Sequence, residues 1–263
     1  MTLHQEELKA SAKYLIESVK VQGTDIALLT FDNVARIEAV ISLDSNYRNT
    51  ANAERSPVFK RGSSEYGYIG STRYWVEQLR TLYKDVKLAQ TMEGHGYECV
   101  IEHLIKAIDN ENSTHLNSDK VGRVAVKERI INTYGTPLEL IKALEDIENY
   151  PLLTLIATPY VKGENNHFSF ASKFCHYLSL FLFEGEDFED AYPIYDEVLK
   201  QSLPLYASFY LNETVKPDEY KCDYKKYVRL IDRIRDAAVE KTHETRISRT
   251  GLDHLIWYFH KGN

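Results

Sequence analysis

The sequence of 263 residues contains no apolar run long enough to span a bilayer, and its first residues have neither the basic flank nor the apolar core of a signal peptide. Cysteine is scarce: Cys99, Cys175 and Cys222 lie far apart and form no CxxC pair, which argues against a zinc ribbon or an iron–sulfur cluster. The Asn-Gly signal of a tight hairpin is also absent, so little β-sheet is expected. We therefore expect a reduced, cytoplasmic protein that needs no metal or organic cofactor.

Positive charge is in deficit as well, since the formal net charge is −7. Non-specific affinity for nucleic acid comes from neutralising phosphates, so this balance counts against a general nucleic-acid binder. It still allows a local basic face, although scattered solvated charges would produce the same pattern. The candidate cations for such a face are Arg48, Arg55, Lys60, Arg61, Arg73, Arg246 and Arg249.

Most of the chain has apolar residues at helical spacing, which predicts an all-α fold. Residues 42–71 are instead polar and rich in Ser, Asn, Arg and Gly, which indicates a long loop. We divide the chain into an N-terminal helical region, 1–120, that contains this loop, and a C-terminal helical region, 121–263. The predicted helices cover residues 8–19, 32–41, 72–88, 97–109, 123–134, 138–148, 168–183, 192–205, 224–239 and 250–260.

Two residues of the C-terminal region carry charge in apolar surroundings, where a charge without a function is costly. Lys173 lies in the segment Ser-Phe-Ala-Ser-Lys-Phe-Cys-His-Tyr, and Asp196 follows Tyr-Pro-Ile-Tyr, where a new helix is expected to begin. An amine and a carboxylate in a partly dry pocket can break a glycosidic carbon–nitrogen bond, because the carboxylate stabilises the cationic sugar that forms. Each residue also has a structural explanation: a lysine can snorkel at a helix start, and an aspartate can cap a helix.

These two segments and the Leu-Asp-His-Leu-Ile-Trp run at 252–257 resemble the bacterial 8-oxoguanine-glycosylase-like proteins, which are distant relatives of the helix-hairpin-helix DNA glycosylases. In that superfamily a lysine opens the helix after the hairpin, and a catalytic aspartate follows a proline-containing turn. The resemblance implies an all-α helical bundle of the helix-hairpin-helix type with Lys173 and Asp196 as catalytic residues. It covers the C-terminal part of the chain, and the divergent N-terminal half matches no motif.

Base excision from double-stranded DNA is the reaction that this resemblance implies, in repair or in defence against modified phage DNA. The enzyme would flip a damaged or modified nucleotide into a pocket and cleave its N-glycosidic bond. A deprotonated Lys173 would form a Schiff base and allow strand cleavage, whereas a charged Lys173 would orient groups in a monofunctional enzyme. Lys162, in the hairpin expected at 158–167, joins the candidate phosphate contacts. The candidate contacts to the flipped base, for each of which core packing is an alternative, are His176, Tyr177 and Tyr195.

Two further interpretations stay open. Arg249 and His254 form an Arg-x4-His pattern like that of small all-helical ribonucleases of the HEPN type, in which the arginine neutralises a phosphate and the histidine does acid–base work. The third interpretation is a helical interaction protein without chemistry, because helical domains serve many functions.

Overall fold

The computed structural model describes residues 14–41, 72–84, 96–112, 116, 121–159, 166–220 and 223–261. These residues are mostly helical, as the apolar spacing predicts. No helix among them is long and apolar enough to cross a membrane. The helices are 31–41 (α1), Thr72–Lys84 (α2), Tyr97–Asn112 (α3), Val121–Thr133 (α4), Pro137–Glu145 (α5), Pro151–Ala157 (α6), Phe168–Leu182 (α7), Glu197–Tyr210 (α8), Tyr224–Thr242 (α9) and Arg249–His260 (α10), with short 3-10 turns at Asp187–Asp190 and Pro217–Glu219.

The helix predicted over 8–19 is wrong at its C-terminal end. Ser18–Val21 is a β-strand (β1) that pairs antiparallel along its whole length with Thr24–Ala27 (β2). Gln22 and Gly23 form the two-residue turn, with φ of 49° and 85°, and two positive φ values are what such a tight turn requires. Glycine adopts such a conformation freely, but glutamine does so rarely. The hairpin was therefore missed because one of its two turn positions carries an unfavourable residue.

Tyrosines of α8 hold this hairpin and the segment that follows it. The backbone N–H of Ala27 donates to the Tyr206 hydroxyl at 3.1 Å, and the N–H of Leu29 donates to the Tyr210 hydroxyl at 2.8 Å. Each bond satisfies a buried backbone donor that the two-stranded sheet leaves unpaired. The short sheet, which has no third strand among the described residues, is thus supported by a helix distant in sequence.

The start of α8 also differs from its prediction. Its helix was expected from residue 192, but the chain is not helical from Tyr192 to Asp196, and α8 begins at Glu197. Pro193 disfavours the helical conformation for the residue before it, and Asp196 takes the extended conformation of an N-cap. The helix therefore begins directly after the aspartate.

The chain forms two compact units. The first unit comprises Met1–Ser56 and Tyr195–Asn263, and the second comprises Pro57–Ile194. This division differs from the predicted boundary after residue 120, which lies inside the second unit. In the first unit, α8, α9 and α10 pack against one another, and in the second, α7 packs against α2 and α6.

Candidate functional site

Asp196 caps the N-terminus of α8. Its Oδ1 accepts a hydrogen bond from the Leu199 N–H at 2.9 Å, and its backbone is extended, with φ −127° and ψ 174°. The residue is only 9% exposed. Because the N-terminus of a helix carries partial positive charge, the carboxylate is stabilised as an anion there. The capping role that the sequence allows is confirmed, and this bond uses one of the two carboxylate oxygens.

A cluster of tyrosine side chains holds Tyr195, the residue directly before Asp196. Tyr195 packs edge-on against Tyr227, with ring centroids 4.9 Å apart, and Tyr220 and Tyr224 lie 5.9 Å from the same ring. Tyr227 is fully buried, and Tyr195 is buried as well. The Tyr195 ring thus packs in the core, which is the alternative that the sequence left open. This contact fixes the residue that precedes Asp196.

The first unit also buries a second carboxylate. Asp253, on α10, is only 4% exposed. Burial raises the pKa of Tyr227 well above its ordinary value, and the charges of Asp253 and Asp196 raise it further. The sequence offered one signal for Asp253, an acidic residue among the apolar residues of a helix, but no role was assigned to it. Only the folded chain shows that this carboxylate is buried.

Lys173 lies in the second unit, on α7. Its side chain is half-buried, while Phe170 and Phe174 of the same helix are buried. Tyr177 follows one turn later on the same face and stacks on Phe181, with ring centroids 6.1 Å apart. We call Lys173, Tyr177 and Phe181 the lysine–aromatic stripe. All three side chains are half-buried.

One end of the lysine–aromatic stripe carries a cation. The guanidinium of Arg73 lies over the Phe181 ring, 5.4 Å from its centroid, and forms an ion pair with Glu184 at 2.9 Å. A planar cation on an aromatic face is a favourable contact. Arg73 is therefore held by α7 and the residues after it, although its charge is shared with a carboxylate.

His176 faces the interior. It is buried, and its Nδ1 lies 2.8 Å from the Tyr192 carbonyl oxygen. A carbonyl oxygen only accepts, so Nδ1 is assigned the proton and donates. The Tyr192 hydroxyl in turn donates to the Leu144 carbonyl at 2.5 Å. His176 is thus a core histidine, which is the alternative to a base contact. Its hydrogen bond holds Tyr192, the first residue of the Tyr-Pro-Ile-Tyr segment.

The predicted phosphate contacts near the C-terminus are paired with carboxylates. Arg249 forms two hydrogen bonds with Asp232, at 2.9 and 2.6 Å, and Arg246 forms ion pairs with Asp236 at 2.7 Å and Asp232 at 3.5 Å. Burial alone would raise the pKa of Asp232, but the bonds and charges of Arg249 and Arg235 outweigh it and lower that pKa. Three guanidinium groups thus face two carboxylates, which leaves a small positive excess. The candidates Arg48, Arg55, Lys60, Arg61 and Lys162 lie outside the described residues.

The residues of the ribonuclease alternative bind different partners. Arg249 is held by Asp232 of α9, whereas His254 Nδ1 lies 2.7 Å from Glu38 Oε1 of α1. Five positions along a helix turn the side chain by about 140°, so the two residues occupy different faces of α10. Each residue has a structural role that is independent of the other.

No family model, curated protein or solved structure matches this chain. The resemblance to glycosylases thus stays a hypothesis that depends on the motifs around Lys173, Asp196 and residues 252–257. Lys173 belongs to the second unit and Asp196 to the first, so their convergence on one cavity stays a prediction.

Proposed function

We propose that this protein is a DNA glycosylase that releases a damaged or modified base from double-stranded DNA. The observation that carries the proposal is the setting of Asp196, a nearly buried carboxylate held at a helix start by its cap bond and preceded by Tyr195, whose ring packs against Tyr227. A fixed anion in a site with little water is what a developing sugar cation needs. The half-buried Lys173 on an aromatic helix supplies the second group that the reaction uses.

The proposed chemistry begins when the target nucleotide leaves the duplex. Tyr177, the half-buried ring one turn after Lys173, stacks on the flipped base. The N-glycosidic bond then breaks, its electron pair leaves with the base, and the carboxylate of Asp196 stabilises the cation at C1′. Water adds to C1′ and gives a proton to the departing base, which leaves an abasic site. If the Lys173 amine adds instead, one of its protons goes to the base. The sugar ring then opens to a Schiff base as its oxygen takes up a proton, and loss of the C2′ proton with departure of the 3′ phosphate cuts the strand.

The connection between α6 and α7 supports the helix-hairpin-helix part of the proposal. These two helices pack together, and the His167 N–H donates to the Ala157 carbonyl at 2.8 Å, so the two ends of the connection meet. Arg129 of α4 donates to the carbonyls of Thr158 and Pro159 and holds the beginning of the connection. The meeting of these two ends between packed helices is the observation that supports a hairpin here. Lys162, which belongs to this connection, is the proposed phosphate contact there.

A panel of duplexes tests this function. Each duplex carries one modified base, of oxidised, alkylated, deaminated or phage type, and alkali cleavage reveals abasic sites. We expect the wild type to release at least one of these bases, and Lys173→Gln to abolish any borohydride-trapped covalent complex. The control Lys142→Gln changes an exposed helical lysine and should leave both unchanged.

Two results would contradict the proposal. In the first, the wild type leaves every duplex of the panel intact. In the second, base release persists unchanged in both Lys173→Gln and Asp196→Asn. Cleavage of RNA that depends on Arg249 and His254 would instead support the ribonuclease.

A further inference from the structure

The solvent side of α9 carries three cations in its first two turns. Lys225, Lys226 and Arg229 are all exposed, whereas Tyr224 and Tyr227 of the same turns are buried. Lys225 and Arg229 are four positions apart, so they are neighbours on the helix surface, and Lys226 lies three positions before Arg229. We call these three cations the α9 basic patch.

The charge of the α9 basic patch is only partly neutralised. Lys226 lies 3.5 Å from the carboxylate of Asp223, in an ion pair whose lysine side chain is 64% exposed, and exposed pairs of this kind are weak. Among the residues that the structure describes, Lys225 and Arg229 form no ion pair, and the carboxylates of the preceding turn, Pro217–Glu219, form none with the patch. The patch therefore keeps positive charge in a chain whose formal net charge is −7.

The position of the α9 basic patch also opposes the helix dipole. Lys225 and Lys226 lie in the first turn of α9, and that turn contains no acidic residue. Because the N-terminus of a helix carries partial positive charge, cations there lower the stability of the helix. These side chains are thus placed unfavourably for folding, and their accessible charge indicates a binding role.

The contacts of α9 place the patch near the start of α8. Tyr227 packs against Tyr195, with ring centroids 4.9 Å apart, and the Tyr220 hydroxyl donates to the Lys200 carbonyl at 2.7 Å. The first turns of α8 and α9 are therefore neighbours, and Asp196 lies at the start of α8. The patch lies on the opposite side of α9 from Tyr195, about one helix diameter of 10 Å away. About three nucleotides of a DNA strand, at roughly 3.4 Å each, cover this distance.

We propose that the α9 basic patch binds the phosphate backbone of double-stranded DNA beside the nucleotide on which Asp196 acts. The inference rests on the proposed glycosylase function and adds a DNA-binding surface to it. Contacts from lysine and arginine to phosphates position a duplex without reading its sequence. Arg246 and Arg249, which the sequence suggested for this role, are paired with carboxylates, so the α9 basic patch takes their place.

The salt dependence of duplex binding tests this surface. The triple variant Lys225→Gln, Lys226→Gln, Arg229→Gln removes three positive charges and keeps side chains of similar polarity. Each phosphate contact contributes about 0.9 to the slope of log affinity against log salt concentration, so the slope should become shallower by about 2.7. An increase in salt from about 50 to about 200 mM should then weaken binding by the wild type about fortyfold more than binding by the triple variant. Fluorescence anisotropy with one labelled duplex measures both proteins.

Arg233 provides the matched control on the same helix. Its side chain is exposed like those of the patch, but it is paired with Glu213, so its charge is already neutralised. Arg233→Gln should therefore leave the salt slope at the wild-type value. The melting temperature of the triple variant should not fall, because the cations it removes oppose the helix dipole. A lower melting temperature would show that these cations stabilise the fold and would contradict the inference.

The outcomes separate this inference from the proposed function. If the triple variant binds the duplex with the affinity and salt slope of the wild type, or if Arg233→Gln changes the slope as much as the triple variant does, this inference is overturned. Base release by the wild type would support the proposed function in either case. If the wild type releases no base from any duplex of the panel, the proposed function fails. A shallower salt slope in the triple variant would then still support the α9 basic patch as a duplex-binding surface.

Discussion

Asp196 combines two roles that substitution can separate. Its Oδ1 accepts the Leu199 N–H and caps α8, and its negative charge is the proposed partner of the sugar cation. Asparagine keeps an oxygen that can accept the same bond but carries no charge, whereas alanine has neither. Asp196→Asn therefore removes the charge alone, and Asp196→Ala removes the charge together with the cap.

The expected magnitudes differ between stability and rate. Loss of an N-cap acceptor costs about 1 kcal/mol of unfolding free energy. For a protein of this size that corresponds to a fall of roughly 2–4 °C in melting temperature. Asparagine caps about as well as aspartate and loses only the interaction with the helix dipole, which is worth about 0.5 kcal/mol. Removal of the charge should slow base release about a hundredfold in both variants, because the cation loses its stabilising anion.

Thermal melting and single-turnover excision measure the two quantities on the same proteins. Asp223 provides the control, since it caps α9 by accepting the Lys226 N–H at 3.0 Å and is more exposed than Asp196. Asp223→Ala should destabilise the fold like Asp196→Ala but leave the rate constant at the wild-type value. Excision at the wild-type rate by Asp196→Asn would refute the catalytic assignment. An Asn variant that melts as low as the Ala variant would refute the capping argument.

Three other outcomes are expected. Tyr177→Ala should slow excision about tenfold, because base–aromatic stacking is worth roughly 1–3 kcal/mol. Tyr177→Phe keeps the ring and should keep the rate, so equal rates in the two variants would contradict stacking. Asp232→Asn should lower the unfolding free energy by about 2 kcal/mol at pH 7, measured by urea denaturation. The pKa of Asp232 in the folded protein is lowered, so this stabilisation is complete above its unfolded pKa of about 4 and disappears as the pH falls through the folded pKa. A stability difference between wild type and Asp232→Asn that persists in acid would contradict the role of the Asp232 charge. Gly23→Ala should lower the unfolding free energy by about 1 kcal/mol, because φ at Gly23 is +85°. Gly96→Ala should not lower it, because an added Cβ there meets nothing within 4 Å, and equal effects would argue against strain at the turn.

Local patterns predicted the helices well. The helix predicted over 168–183 differs from α7, Phe168–Leu182, by one residue, because this long, nearly all-apolar segment is typical of a buried helix. The helix predicted from residue 138 begins one residue earlier, at Pro137, where the Thr136 hydroxyl accepts from Glu139 N–H in a capping box. Asp196 was also placed near a helix start. These features depend on neighbours within a few positions.

The features that local patterns did not show depend on contacts between distant segments. The β-hairpin has an unfavourable Gln22, and its strands are held by Tyr206 and Tyr210, which no local pattern connects to them. The arginines predicted to meet phosphates, Arg246 and Arg249, are paired with carboxylates that face them only after α9 and α10 pack. Charges can be counted from the sequence, but the sequence does not show which of them form ion pairs with one another.

The sequence by itself determined that the chain is mostly helical, where most helices lie, and that Lys173 and Asp196 are unusual charges in apolar segments. These properties follow from hydrophobic period, capping residues and proline, which act within one or two turns of chain. Tertiary structure alone decided that the N-terminal hairpin belongs with the C-terminal helices, that His176 faces the core while Tyr177 shares the side of Lys173, and that Asp253 is buried. Such facts arise because burial and electrostatic pairing are set by proximity in space, which only the packing of distant segments creates.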